Sequence, residues 1–153
     1  MTDLEIIELF IEYLSKNKMY SVHTTSAYRN DIDVFNAYIR DENYTIFSVD
    51  TTVIRNFLET QLREGIHKTT LKRRIVSLKK FYSFMLEKEV IKMNPFINIK
   101  SPKTDKKLPD FLYEEEIKKL FEENKTRTDI YVSRDQAIIE LLFASGLRVS
   151  ELC

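Results

Sequence analysis

Helix breakers are scarce in this chain of 153 residues: it has two glycines and three prolines, and long stretches contain neither. That excludes a turn-rich all-β protein and predicts a mainly helical one. Cys153 is the only cysteine, so no disulfide forms within the chain. A lone cysteine fits a reducing, cytoplasmic setting, and it reads most simply as a small apolar residue on a helix. Two histidines, His23 and His67, are too few and too far apart for a metal site, and neither metal nor cofactor is expected. No apolar run reaches the ~18 residues a membrane span needs, and Met1-Thr-Asp-Leu-Glu lacks the basic start of a secretory leader.

Net charge is also absent: 24 basic side chains balance 24 acidic ones. Taken alone, that argues against a nucleic-acid partner. The distribution reverses the argument. Residues 1–64 carry 6 basic and 11 acidic side chains, residues 65–110 carry 12 and 4, and residues 111–153 carry 6 and 9. Half the positive charge sits in one middle segment, which is an electrostatic footprint that the total hides.

Four helices are expected before the first proline. Thr2 and Glu5 have capping-box spacing, and Leu4, Ile7, Ile11 and Leu14 fall on one face behind them. A second helix starts between Ser21 and Thr24 and runs to about Arg40, with Tyr28, Ile32, Phe35 and Ile39 as its inner stripe. Asp41-Glu-Asn43 breaks it. Asp50 caps a third helix, with Ile54, Phe57, Leu58 and Leu62 inward and Gly65 as its stop. Short loops between such helices predict a bundle with its own core.

The fourth helix, about Lys68 to Lys92, carries the most information. Leu71, Ile75, Leu78, Tyr82 and Met85 cluster in one stripe at ~100° per residue. Thr69, Lys72, Arg73, Val76, Lys79, Lys80 and Ser83 fall on the opposite face, and no carboxylate appears until Glu87. Like charges at helical spacing repel, so a one-sign face favours a nucleic-acid partner, with an ordinary solvated lysine face as the competing reading. A helix of this size fits a DNA major groove, where most cations would neutralise phosphates and one or two would reach base edges. Lys72 and Arg73 lie mid-face and are the strongest contact candidates. Arg29, His67, Lys68, Thr69, Lys79 and Lys80 complete the expected DNA-binding set on this side.

Asn94 to Pro109 holds all three prolines and several lysines, with no regular period. It reads as an extended basic linker, partly packed through Phe96, Ile97 and Ile99. A domain boundary is placed near residue 105, giving a domain over 1–104 and a second segment over 105–153. There Tyr113 precedes a helix with three glutamates in its first turn and lysines next, as the helix dipole favours. Consecutive glutamates point in different directions, so Glu114 to Glu116 are not an acid–base pair. Ser133 and Gln136 have capping-box spacing for the next helix. Ala137, Ile138, Leu141, Leu142 and Ala144 make that helix apolar over most of its girth, which predicts a central core helix. Gly146 suits a left-handed helix end. Arg148 then stands at the next helix start, where the dipole disfavours a cation and favours an anion. A guanidinium beside exposed amides makes a plausible phosphate site.

Ser145-Gly-Leu-Arg-Val-Ser-Glu-Leu152, preceded by Arg134-Asp135, closely resembles the first arginine box of tyrosine site-specific recombinases, the Xer-type integrases in particular. Thr24-x-x-x-Tyr28-x-x-Asp31-Ile32-x-x-Phe35 resembles that family's second N-terminal helix. Arg73-Arg74-x-x-Ser77-Leu78-x-x-Phe81-Tyr82 resembles its fourth. Asn94-Pro95, Ser101-Pro-Lys103 and Lys107-Leu-Pro109 resemble its interdomain linker.

The resemblance implies an all-α, four-helix SAM-like core-binding bundle, a basic linker that lets two domains close around DNA, and the first helices of a catalytic domain. It implies cutting and rejoining of DNA through a 3′-phosphotyrosyl intermediate, without metal or ATP, by a tetramer of protomers on two duplexes. Arg148 would bind the scissile phosphate and Glu151 would help position the centre; as an isolated residue, Glu151 reads equally as a partner for a nearby arginine. Thr24 becomes a phosphate-contact candidate, with a simple capping hydroxyl as the competing reading. A lysine, a histidine–arginine box and a tyrosine nucleophile would follow Cys153, so the chain is expected to be a catalytically incomplete fragment. A DNA-binding module without chemistry, or a helical adaptor for an acidic protein, are the alternatives.

Overall fold

A computed structural model describes residues 1–103 and 110–152. Among them every regular element is helical: seven α-helices and one π-helical turn. Among the described residues no helix is long and apolar enough to cross a membrane. Residues 1–105 and 106–153 form two compact units. The expected boundary near residue 105, Lys107-Leu-Pro109 of the expected linker, and Cys153 lie outside the described residues.

In the first unit, α1 (Asp3–Glu12) opens on the expected capping box. The Thr2 hydroxyl accepts from the Glu5 amide at 3.2 Å, and Glu5 accepts from the Thr2 amide at 2.7 Å. The helix continues into a π-helical turn, Tyr13–Asn17, that keeps Leu14 buried. The chain reverses at Met19, whose φ of 51° is left-handed. Ser21 caps α2 (Val22–Asp41), and Asn43 closes it with φ 62°. Asp50 caps α3 (Thr51–Arg63), its carboxylate accepting from the amides of Thr52 at 2.8 Å and Val53 at 2.9 Å. His67 caps α4 (Lys68–Glu87).

α2 and α4 form the central pair, and α1 and α3 each pack against both. The core they enclose is aromatic at its centre. Phe10, Phe35, Phe57, Phe81 and Tyr82 are buried, and Phe35 meets Phe57 edge to face at 5.0 Å between ring centroids. Each such side chain contributes roughly 1.5–3 kcal/mol through burial. After α4 the chain folds back over the bundle. The Asn94 side chain donates to Ser83 Oγ at 3.0 Å and accepts from the Phe96 amide at 2.9 Å. That clamp sets Phe96 into the core against Tyr82, 5.0 Å between centroids.

Four expectations for this unit need correction. Leu4 and Leu62 are exposed rather than inward, because the buried face of α1 runs through Ile6, Ile7 and Phe10 and that of α3 through Ile54, Phe57 and Gln61, which turns both leucines to the side. Ile97 is exposed; only Phe96 and Ile99 of the post-helical segment are buried. The fourth helix ends at Glu87, not Lys92. Glu89 there takes φ 57°, and the amides of Glu89 and Val90 close back on the carbonyls of Leu86 and Met85. That termination does without glycine.

The second unit contains α5 (Glu114–Thr126), α6 (Val132–Ser145) and the short α7 (Val149–Leu152). The Tyr113 amide donates to Glu116 at 2.8 Å, opening α5 as expected. Gly146 ends α6 with φ 64°. The predicted Ser133–Gln136 capping box does not form. Tyr131 is the cap residue, its amide donates to Asp129 at 2.9 Å, and the Gln136 side chain instead accepts from Asn124 at 3.0 Å. Nor is α6 a central core helix here: none of its side chains is buried, and Leu141 and Phe143 are exposed. In this unit it packs on α5 and α7 only, which cover one side of an all-round apolar helix.

Candidate nucleic-acid interface

The apolar stripe of α4 fixes which residues face outward. Leu71, Ile75, Leu78, Tyr82 and Met85 are all buried as their spacing predicts. Lys68, Thr69, Lys72, Arg73, Val76 and Ser83 are therefore exposed, and Lys79 and Lys80 are half-buried. Among the described residues, Lys68, Lys72 and Lys79 have no carboxylate within ion-pair distance. At the head of the helix, His67 Nδ1 lies 2.8 Å from the Thr69 hydroxyl, so both serve the cap.

The first turn of α2 lies beside this face. Thr24 has its amide bonded to Ser21 Oγ at 3.2 Å and its hydroxyl 2.9 Å from the same oxygen. Ser21, not Thr24, is the cap residue, so the capping reading moves to its neighbour. A cleft of about 320 Å³ between the two helices is lined by His23, Thr24, Ala27, Tyr28, Arg73, Val76 and Ser77. It brings Thr24 and Arg73 together, 49 positions apart in the chain.

Three cations of the predicted set are not free. Arg73 donates through Nη1 to Asp31 Oδ2 at 2.6 Å and to the Ala27 carbonyl at 3.4 Å. Asp31 is completely buried, and the same oxygen accepts from Ser77 Oγ at 2.7 Å. Arg74 approaches the other oxygen at 3.5 Å through Nε, while its Nη1 donates to the Gln61 side chain. Burial pushes the Asp31 carboxyl above its ordinary value, against the opposing pull of Ser77 and the two arginines. Lys80 donates to the Tyr20 hydroxyl and lies 4.5 Å from the centre of that ring. That hydrogen bond raises its pKa, so it stays charged inside an aromatic box. Arg29 bridges Glu8 at 2.7 Å and Asp33 at 3.0 Å, holding the Glu8 carboxyl below the usual carboxylate range. Both pairs are partly exposed, and the Glu8 pair joins α1 to α2.

Sequence reasoning gave Asp31, Arg74, Ser77 and Tyr20 no role at the site. Arg74 and Ser77 interrupt the apolar stripe of α4, and polar residues on a buried stripe need partners. That was the available signal.

In the second unit Arg148 and Glu151 pair with each other. The Arg148 amide donates to Glu151 Oε2 at 2.7 Å, and Arg148 Nη1 donates to Oε1 at 3.0 Å. The Glu151 carboxylate thus fills the place at the start of α7 that the helix dipole offers to an anion. Both side chains are solvent-accessible, 81% for Arg148 and 46% for Glu151. Nearby in sequence, Arg127 joins Asp129 and Asp135, and Arg134 pairs with Asp135 while stacking 4.4 Å above the Tyr131 ring.

Residues 7–89 match the family described as "Phage integrase, N-terminal SAM-like domain". Tyrosine recombinase XerC of Bacillus pumilus is 40% identical over 149 residues, covering 97% of this chain and 48% of that protein. Tyrosine recombinase XerC of Oceanobacillus iheyensis is 39% identical over 153 residues, covering 99% of this chain and 50% of that protein. The Bacillus subtilis protein of the same name is 36% identical over 151 residues, covering 96% and 48%. No solved structure matches. The chain spans about half the length of the curated relatives it matches. The family match covers more than half of the chain and most of its all-helical first unit, and the relatives aligned along nearly its whole length are named as tyrosine recombinases; the chain belongs to the phage-integrase N-terminal SAM-like domain family.

Proposed function

We propose that residues 1–104 are a double-stranded DNA-binding domain, and that residues 105–153 begin the catalytic domain of a recombinase that cuts and rejoins DNA. The observation that carries this reading is the outer face of α4. There Lys68, Thr69 and Lys72 stand exposed, without a carboxylate partner among the described residues, beside the cleft that holds Thr24 and Arg73. Such a face offers lysines to phosphates and a cleft to the edge of a groove. Arg148 is the proposed ligand of the scissile phosphate, with Glu151 holding it until DNA arrives. The named relatives are tyrosine recombinases, and the same reading gives this chain further recombinase protomers as partners on DNA.

The test is fluorescence anisotropy with a labelled duplex of about 30 base pairs at several salt concentrations, comparing the chain with a Lys68→Ala/Lys72→Ala double variant. A lysine that neutralises one phosphate adds about 0.9 to the slope of log affinity against log salt, so each alanine should make that slope shallower by as much. Weak binding that ignores salt and both substitutions would sink the DNA reading and leave a helical adaptor.

A further inference from the structure

Arg73 and Arg74 are adjacent on α4, so their side chains leave the helix ~100° apart. Both nevertheless converge on one buried group, Asp31 of α2. Arg74 reaches it from the buried side. Arg73 starts on the exposed face and must bend back toward α2, where Nη1 is held by both Asp31 and the Ala27 carbonyl. The guanidinium is planar, so anchoring one corner limits the plane of the whole group. Its other nitrogens make no hydrogen bond among the described residues, and the side chain remains 46% exposed at the cleft beside Thr24.

We propose that Asp31 is a positioning residue for DNA: it holds Arg73 in the α2–α4 cleft with one guanidinium edge presented to a backbone phosphate. This inference rests on the DNA reading of α4. A free arginine on a helix face samples many rotamers, and ordering it opposes binding. Here the ordering is completed during folding. Asp31 is fully buried, so it cannot reach a phosphate itself, and of the side chains it holds only Arg73 is exposed at the cleft.

The experiment is the same anisotropy titration with Asp31→Asn, Arg73→Ala, the double variant, and Asp50→Ala as a variant weakened in a different helix. Circular dichroism sets a temperature at which each is folded. Asp31→Asn should weaken binding about three- to tenfold, the cost of re-ordering one long side chain. The double variant should bind no more weakly than Arg73→Ala alone, and Asp50→Ala should bind as the unaltered chain does. Wild-type affinity in Asp31→Asn, or losses that multiply in the double variant, would overturn the proposal. If Asp31→Asn does not fold, Arg73→Lys decides. A lysine can pair with Asp31 but offers no second edge, so it should bind like Arg73→Ala; undiminished affinity would refute the assignment. If Lys68→Ala/Lys72→Ala leaves salt-dependent binding intact, the DNA reading of α4 itself has failed and this inference falls with it. A loss there with none in Asp31→Asn rejects the positioning role alone.

Discussion

Lys80 of α4 donates its ammonium proton to the hydroxyl of Tyr20, sixty residues earlier in the chain, and lies over the rings of Tyr20 and Tyr28. A lysine that looks like part of the DNA face is thereby a tie between α4 and the turn before α2. Lys80→Ala should therefore cost stability more than affinity. A partly desolvated cation–π contact is worth ~0.5–2 kcal/mol, readable as a lower urea midpoint. Its effect on DNA binding should be smaller than that of Lys72→Ala. The reverse order would show that Lys80 leaves its aromatic box when DNA binds.

The raised Asp31 carboxyl gives stability a distinctive pH dependence. The folded chain takes up this proton at higher pH than the unfolded chain, whose aspartates titrate near pH ~3.9. Between those two values the folded state binds more protons, so this group's contribution grows as pH falls and is smallest at neutral pH. The groups that face this carboxyl are Arg73, Arg74 and Ser77. Asp31→Asn cannot take up the proton. The unfolding free energy of the unaltered chain minus that of Asp31→Asn, measured by urea at steps from pH 7 to 4, should rise as pH falls. A flat or falling difference would show a carboxyl that is not raised.

Asp50 satisfies two amides at the start of α3 and is otherwise exposed. Asp50→Ala should destabilise the bundle by ~1 kcal/mol. Asp50→Asn or Asp50→Ser should recover most of that in thermal melts, since either side chain can still accept.

The Arg148–Glu151 pair is exposed, and exposed pairs contribute only ~0–1 kcal/mol. Releasing Arg148 to a phosphate is thus energetically cheap. Glu151→Gln should leave the melting curve unchanged and raise affinity for duplex DNA a fewfold. That gain should vanish in Glu151→Gln/Arg148→Ala. A gain that survives the removal of Arg148 would trace to general charge rather than to this arginine.

The parts of the fold legible in the sequence are those written locally. Thr2 with Glu5, Asp50 and Gly146 are caps whose chemistry lies within four residues, and the inner stripe of α4 follows from helical spacing alone. The end of α4 was not legible, because Leu-Glu-Lys-Glu-Val carries neither glycine nor proline and Glu89 takes the left-handed turn. Charge on the α4 face was visible as a pattern, but not which cations are already engaged. Arg73, Lys80 and Arg29 are each tied down by a residue on another element, and periodicity along one helix contains nothing about that. The polar cluster around Asp31 is written in two pieces 42 and more residues apart.

Phe96 has a practical meaning for anyone excising this domain. The family match stops at residue 89, which is where a cloning boundary would naturally be drawn. A stop codon there would remove the ring that fills the space between Phe35 and Tyr82, together with the Asn94 clamp that seats it. The expressed product would carry a benzyl-sized void in its centre, a defect of ~3–5 kcal/mol in a bundle of modest size. The compact first unit includes the segment through Ile99, and what closes its core after α4 is a plug rather than a helix.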